Sequence, residues 1–263
     1  MTICKELIFL EWFSDLSFWA VCVLVLTAFL AGIIDALAGG GGLITVPIMI
    51  AVGISPIEAL ATNKLQGCAG TLSASHHFIK LGHVSLREMR FPIFMTAVGS
   101  LTGTLLVTYI NTAILLRIIP AILIFVAIFF YALPKLQPVI SSFVRITMNR
   151  FAFIAGFSIG FYDGLIGPGT GAFFSTAFIC LMGLSIISAT AHTKVLNATS
   201  NLTSLVVFCF SGHILWGIGI AMGVGQWLGA KIGSRLVISK GNTLIRPLVI
   251  TICIALSIKL LLS

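Results

Sequence analysis

Apolar residues run along this chain in long stretches rather than alternating at the period of a strand or recurring on one face of a surface helix. Phe18 to Ala38, Phe91 to Ile110, Ala113 to Leu133, Ile214 to Gly233 and Thr243 to Leu262 are each long enough for a helix to cross a hydrocarbon core, which takes about 20 residues. Two shorter stretches, Leu43 to Val52 and Ala172 to Met182, each follow a glycine cluster. Ten or so residues of helix rise about 15 Å, half the core, so both read as half-helices after a backbone break.

Two further segments carry polar stripes. Lys64, Cys68, Thr71 and Ser75 fall at i, i+4, i+7 and i+11, one face of a helix that also holds Thr62, Asn63, Gln66 and Ser73. Thr190, Lys194, Asn197, Asn201 and Ser204 repeat the stripe later in the chain. Lipid does not solvate such faces, so the two are expected to meet each other or a wet cavity.

The same order of features occurs twice. The first half reads GIIDALAGGGGLITVP, GISPIEALATNKLQGCAGTLS and GHV; the second reads GFYDGLIGPGTGAFFS, GLSIISATAHTKVLNATSNLTS and GHI. Asp35 matches Asp163, and Ser55, Ala59, Ala61, Lys64 and His83 match Ser185, Ala189, Ala191, Lys194 and His213. Gly99-x3-Gly103 corresponds to Gly225-x3-Gly229. Each half supplies five apolar segments, the second one short. The expected architecture is an all-α polytopic membrane protein of about eight full spans plus two half-helices. Residues 1–134 form the first repeat, 135–150 a cytoplasmic linker and 151–263 the second repeat.

Composition agrees: 59% of the 263 residues are hydrophobic and 8% charged, against about 25% charged in soluble domains. A core of this size with so few charges has no polar coat. The N-terminal end carries Lys5 against Glu6, Glu11 and Asp15, unlike the basic front of a secretory signal, so Phe18 onward reads as a retained span. The net charge of +8 does not point to nucleic acid, because the cations lie in short loops between spans. Lys80, Arg87 and Arg90, then Lys135, Arg145 and Arg150, then Lys231, Arg235, Lys240 and Arg246 mark three cytoplasmic loops. Counting outward from them puts both termini in the periplasm of a bacterial inner membrane and makes the repeat inverted. The six cysteines form no CxxC pair and read as reduced packing residues. The glycosylation-type triplets at Asn197 and Asn201 fall inside an expected span and carry no weight.

The string DALAGGGGLITVP followed by GISPIEALATNKLQ resembles the TauE/SafE family, also called the 4-toluene sulfonate uptake permease family. The resemblance covers nearly the whole chain and is tightest in the first half; the second-half equivalents read GPGTG and HTKVLN. It implies a bacterial inner-membrane transporter of sulfite, sulfoacetate and related organosulfur anions.

Candidate chemistry centres on the repeated motifs. Lys64 and Lys194 are expected to bind an anion, since a lysine near a helix centre costs roughly 2.5–3.5 kcal/mol to insert. The alternative is that each snorkels to the interface. Thr62, Asn63, His192, Thr193 and Asn197 surround them in sequence and join the candidate substrate-binding set. So do Gly40, Gly41 and Gly169, whose backbone N–H groups begin the half-helices and favour an anion. Asp35 and Asp163 are candidates for proton coupling; the structural alternatives are a salt bridge to either lysine or a cap on the following half-helix. The GxxxG pairs, Gly156-x3-Gly160 among them, read as packing seams. The glycine clusters lack the strand that a nucleotide loop needs. His76, His77 and His83 have no acidic or cysteine partner at metal-ligand spacing.

These features point to a secondary transporter of small anions working by alternating access, with protons as the candidate coupling ion and the bilayer as its other partner. No cofactor or nucleic acid is implied. An anion channel is the alternative. An intramembrane serine enzyme fits poorly, because Gly53-Ile-Ser55 and Gly183-Leu-Ser185 would duplicate the nucleophile.

Overall fold

The apolar runs become helices whose ends are set by local chemistry. In the computed structural model, which describes residues 17–132 and 146–240, α1 spans Phe18–Ala38. It starts at Ser17, whose hydroxyl accepts from the Ala20 amide, and stops at Gly39, which turns left-handed at φ 75°. The glycine cluster then breaks the backbone before α2, Gly42–Ala51. α3 follows over Pro56–Lys80, with proline in its first turn and the Glu58 carboxylate accepting from both the amide and the hydroxyl of Ser55. α4 is Arg90–Thr108 and α5 is Thr112–Ala132.

The second half begins with α6, Met148–Phe151, which starts inside the stretch read as linker and runs one residue past it. It runs through a π-helical turn, Ala152–Gly156, into α7, Phe157–Leu165. α8 is Thr170–Met182, α9 is Ile186–Ser211, capped by Ser185, and α10 is Trp216–Lys240. Both short segments are therefore helices set off by glycine breaks. Ser55 and Ser185, the repeated G-x-S serines, stand at helix N-termini. The expected span Thr243 to Leu262 and both chain ends lie outside the described residues.

Helix packing exchanges the halves. α1 lies along α10, and α4 lies along α7, so the first helix of each half packs on the fourth of the other. The contact surfaces are the glycine seams. A Cβ on Gly225 would come 2.7 Å from the Val25 carbonyl oxygen, and one on Gly229 or Gly233 would strike the carbonyls of Phe29 and Ile33. In the same way Gly99 and Gly103 sit on the carbonyls of Phe157 and Phe161, and Gly160 and Gly164 on those of Thr96 and Ser100. Small residues let the backbones approach this closely, which is how helices gain packing where the solvent is itself apolar. Gly156 meets only the Thr96 hydroxyl, at 3.5 Å, and the edge of Met95 and Pro92 beyond it, so it is a looser part of its seam.

α3 and α9 cross at the centre, and their surroundings invert the pattern of a soluble protein. Lys64, Lys194, Gln66, Thr62, Thr193 and Ser200 are buried, whereas Leu26, Phe94, Ile128, Ile154 and Val206 are more than half exposed. An exposed apolar belt around a polar centre is the arrangement a lipid solvent demands. Phe18–Leu37 and Arg90–Thr108 are long and apolar enough to cross a bilayer by themselves. The described residues contain no strand.

Candidate transport site

The two backbone breaks meet in the middle of the molecule. The Ala172 amide at the start of α8 donates to the Gly39 carbonyl at the end of α1, at 3.2 Å. Gly39 and Gly171 lie so close that a Cβ on either would collide with the backbone of the other. Glycine is required at Gly39 twice over, by this approach and by its positive φ. The first turns of α2 and α8 therefore face each other across a short distance, with the Leu43, Ile44 and Phe173 amides taken up by the carbonyls of Gly40, Gly41 and Gly169.

Around this junction lies a cavity of about 30 Å3, room for roughly two waters. Its wall includes Gly41 and Gly42 of the first break and Gly167, Gly169, Thr170 and Gly171 of the second. Asn63, Gly67 and Thr71 enter from α3, Asn197 and Asn201 from α9, and Gln226 from α10. Asp35 and Asp163 complete it. The Asn63 carbonyl oxygen accepts from the Thr45 hydroxyl and from the Gln66 amide, both at 2.8 Å, which leaves the Asn63 NH2 group for the cavity. Asn197 Oδ1 and Gln226 Oε1 are buried there without a partner.

The lysines lie behind this wall. Lys64 Nζ stands 2.8 Å from Asp163 Oδ1, and Lys194 Nζ stands 3.1 Å from Asp35 Oδ2. Each ammonium also donates to the backbone carbonyl of its own aspartate. These carbonyls lie near the C-terminal ends of α7 and α1, where the helix dipole favours a cation. Each pair crosses between the halves. Both lysines are 1% exposed or less, so neither snorkels, and in this conformation neither presents its ammonium to the cavity.

The two carboxylates differ in their other partners. Asp163 Oδ1 also accepts from the Thr170 hydroxyl at 3.0 Å, and its Oδ2 accepts from the Ser200 hydroxyl. Asp35 Oδ1 accepts from the Gly41 amide at 3.2 Å, so it caps the half-helix as well as pairing with lysine.

Of the residues singled out in the sequence, Asn63, Asn197, Gly41, Gly169, Asp35 and Asp163 thus come together on one cavity. Four others lie elsewhere. The Thr62 hydroxyl accepts from the Leu215 amide at 3.1 Å and anchors the start of α10. His192 turns Nδ1 onto the Ser188 carbonyl at 2.7 Å and rests against Phe178. Thr193 is buried away from the wall with an unpaired hydroxyl, and Gly40 packs against Leu43. Histidine in place of threonine within the twin motif makes His192 conspicuous in the sequence, but the i−4 carbonyl satisfies its ring locally. Sequence reasoning does not reach Gln226, Thr170 or Ser200. The one available signal for Gln226 is a lone carboxamide in the apolar run GVGQWLG. No group of three histidine, cysteine or acidic side chains suited to a metal occurs among the described residues.

A polar, glycine-broken centre inside an apolar shell defines a multi-pass membrane protein built around a transport pathway. Comparison with known proteins makes this specific: residues 24–260 match the family model described as "Sulfite exporter TauE/SafE", and the chain belongs to that family of membrane transporters. It is 48% identical over 239 residues to "Probable membrane transporter protein YfcA" of Escherichia coli K12, covering 91% of this chain and 88% of that one. "Probable membrane transporter protein ORF9" of a Sinorhizobium species is 44% identical over 248 residues, 94% of this chain and 95% of its own. A "Probable membrane transporter protein" of Haemophilus influenzae is 40% identical over 246 residues, 94% and 96% of the two chains. No solved structure matches.

Proposed function

We propose that this protein carries a small oxyanion of the sulfite or organosulfonate type across the bacterial inner membrane by alternating access, coupled to protons. The observation that carries the reading is the convergence of both half-helix N-termini, at Gly41–Gly42 and Thr170–Gly171, on one cavity flanked by two crossed Lys–Asp pairs. Helix N-termini favour anions, and a lysine released from its aspartate supplies the countercharge. The amide groups of Asn63 and Asn197 add neutral donors. The family description supports sulfite and related anions as the substrate class.

The size of the cavity favours a carrier over a channel. Room for roughly two waters does not hold a whole organosulfonate, so its passage requires the surrounding helices to rearrange. The exchanged packing of α1 on α10 and α4 on α7 suits two inverted halves that rock about this point. The basic loops favour a cytoplasmic Gly82 turn and, by inversion, a periplasmic Gly212 turn.

The test is uptake into proteoliposomes of labelled sulfite, thiosulfate, an alkyl sulfonate and a carboxylate, with and without an imposed pH gradient. Saturable uptake of the sulfur oxyanions, stimulated by the same anion on the far side, is expected. Flux that rises linearly with concentration and shows no exchange stimulation would overturn the carrier.

A further inference from the structure

We propose that the two crossed ion pairs do different jobs: Asp35–Lys194 opens to seat the anion on Lys194, while Asp163–Lys64 stays shut as a tie between the halves. The inference rests on the anion reading above and assigns the work within it.

The asymmetry is written into the repeat. Asp163 is gripped by the Lys64 ammonium at 2.8 Å, the Thr170 hydroxyl at 3.0 Å and the Ser200 hydroxyl. Aligned on the aspartates, the position of Thr170 holds Gly42 in the first half; aligned on the lysines, that of Ser200 holds Gly70. Neither glycine has a hydroxyl to offer. Asp35 keeps only Lys194 at 3.1 Å and the Gly41 amide at 3.2 Å. Its side chain is 11% exposed against 5% for Asp163.

The space that a side chain at Gly70 would fill is taken by Gln226, whose Cγ would lie 2.6 Å from a Cβ placed there. Gln226 corresponds through the glycine seams to Ser100, which instead donates to the Ser200 carbonyl at 2.8 Å. In the second half, small hydroxyl residues knit Asp163 into the wall. Beside Gly70 of the first half there is instead the carboxamide of Gln226 from α10, 3% exposed and with an unpaired oxygen.

Separation of Asp35 from Lys194 leaves a buried ammonium in need of an anion, and an oxyanion with several oxygens fills that role. One oxygen takes the place of the carboxylate on Lys194. The others meet the Asn63 NH2 group and the Gly41 amide that the carboxylate releases. The displaced carboxylate, in a poorly hydrated site without its cation, is neutralised by one proton from the medium. Lys194 keeps its own proton throughout, so a monoanion and a proton enter together with no net charge. Asp163 shares the cavity with Asp35 but is paired with Lys64; among the described residues no further charge faces Asp35. Neither α2 nor α8 has an acidic or basic residue, and on α3 Lys64 is spent on Asp163 while Glu58, His76, His77 and Lys80 lie near the ends. His192 is on the Ser188 carbonyl, and Lys231 and Arg235 of α10 are exposed.

The experiment compares two charge-neutral replacements in the full-length purified protein, Asp35→Asn with Lys194→Gln and Asp163→Asn with Lys64→Gln. Affinity for sulfite and for ethanesulfonate is measured by calorimetry, and uptake in liposomes with and without an inward proton gradient. The first replacement should weaken binding by about tenfold or more, the worth of one charge-assisted hydrogen bond, and abolish stimulation by the gradient. The second should weaken binding by less than about threefold, keep the stimulation and lower the melting temperature. Equal losses, or a larger loss in the second, overturn the assignment. If the second fails to fold, Ser200→Ala serves: gradient stimulation should persist, and its loss overturns the assignment as well. A parent protein that binds neither probe would instead defeat the anion reading itself, and this inference with it.

Discussion

Lys194 on α9 holds Asp35 on α1 at 3.1 Å across 159 residues of chain, and the exchanged relation, Lys64 to Asp163, closes at 2.8 Å. The charges are buried and their remaining contacts are backbone carbonyls, hydroxyls and an amide, so each partner is compensated only by the other. A buried pair adds little net stability over an apolar substitute, but breaking one by removing a single partner typically costs about 3–5 kcal/mol.

Lys64→Ala is therefore expected to destabilise the folded protein by roughly 3–5 kcal/mol, because Asp163 is left enclosed without its cation. Adding Asp163→Asn should restore more than half of that loss. Unfolding by denaturant in mixed micelles measures both. A single-variant cost below about 1 kcal/mol would mean that water reaches the pair.

The seams predict a contrast between two glycines. In Gly103→Ala the new methyl would point into the Phe161 carbonyl and lie 2.9 Å from the Leu165 amide, so α4 and α7 must part. Gly223→Ala meets only the Ala69 methyl at 3.6 Å and the Gln66 Cα at 3.8 Å. The first should cost roughly 1–3 kcal/mol, and the second should be neutral or gain up to about 1 kcal/mol from helix propensity. Thermal stability of the two purified variants, measured side by side, checks the ranking.

Much of this is legible in the sequence for a physical reason. The bilayer demands runs of apolar residues, so the described helices fall close to the expected segments: α1 matches Phe18 to Ala38, and α2 and α8 are short and follow glycine breaks. The seams are legible because close helix contact needs small residues at a fixed spacing. Periodicity places Lys64 and Lys194 on polar faces but does not say which group each face meets. A salt bridge of either aspartate to a lysine is among the sequence-based alternatives, but the crossed choice of partner has to come from the fold, and it turns the ammonium groups away from the cavity where they are expected. Gln226 escapes notice because it stands alone on its helix, without a stripe to announce it. Gly42 and Gly70 carry meaning only beside Thr170 and Ser200, once the contacts of both halves are known.

The proposed inversion of the repeat predicts the topology of two matching turns. Gly82 and Gly212 each follow the third helix of a half, each turns left-handed, and at either one an added Cβ would meet no atom within 4 Å. A reporter inserted at Gly82 should be active on the cytoplasmic side and one at Gly212 on the periplasmic side. Activity of both on one side would make the repeat parallel.

Gly171→Ala tests the junction itself. The added methyl would meet the Gly39 carbonyl at 2.8 Å and the Asn197 amide nitrogen at 2.9 Å. Since backbone on one side gives little, the methyl must spread the junction or fill the cavity. Uptake should fall by at least about tenfold, equivalent to about 1.4 kcal/mol in the barrier, while the protein still reaches the membrane. Wild-type uptake in this variant would place the pathway elsewhere.

Because each lysine finds its aspartate in the opposite half, neither half neutralises its own interior. During synthesis the first repeat enters the bilayer with Asp35 and Lys64 both awaiting partners that have not yet been translated. The two halves are thus bound to a shared fate: each is the chaperone of the other's charges, and a truncated product exposes its own defect.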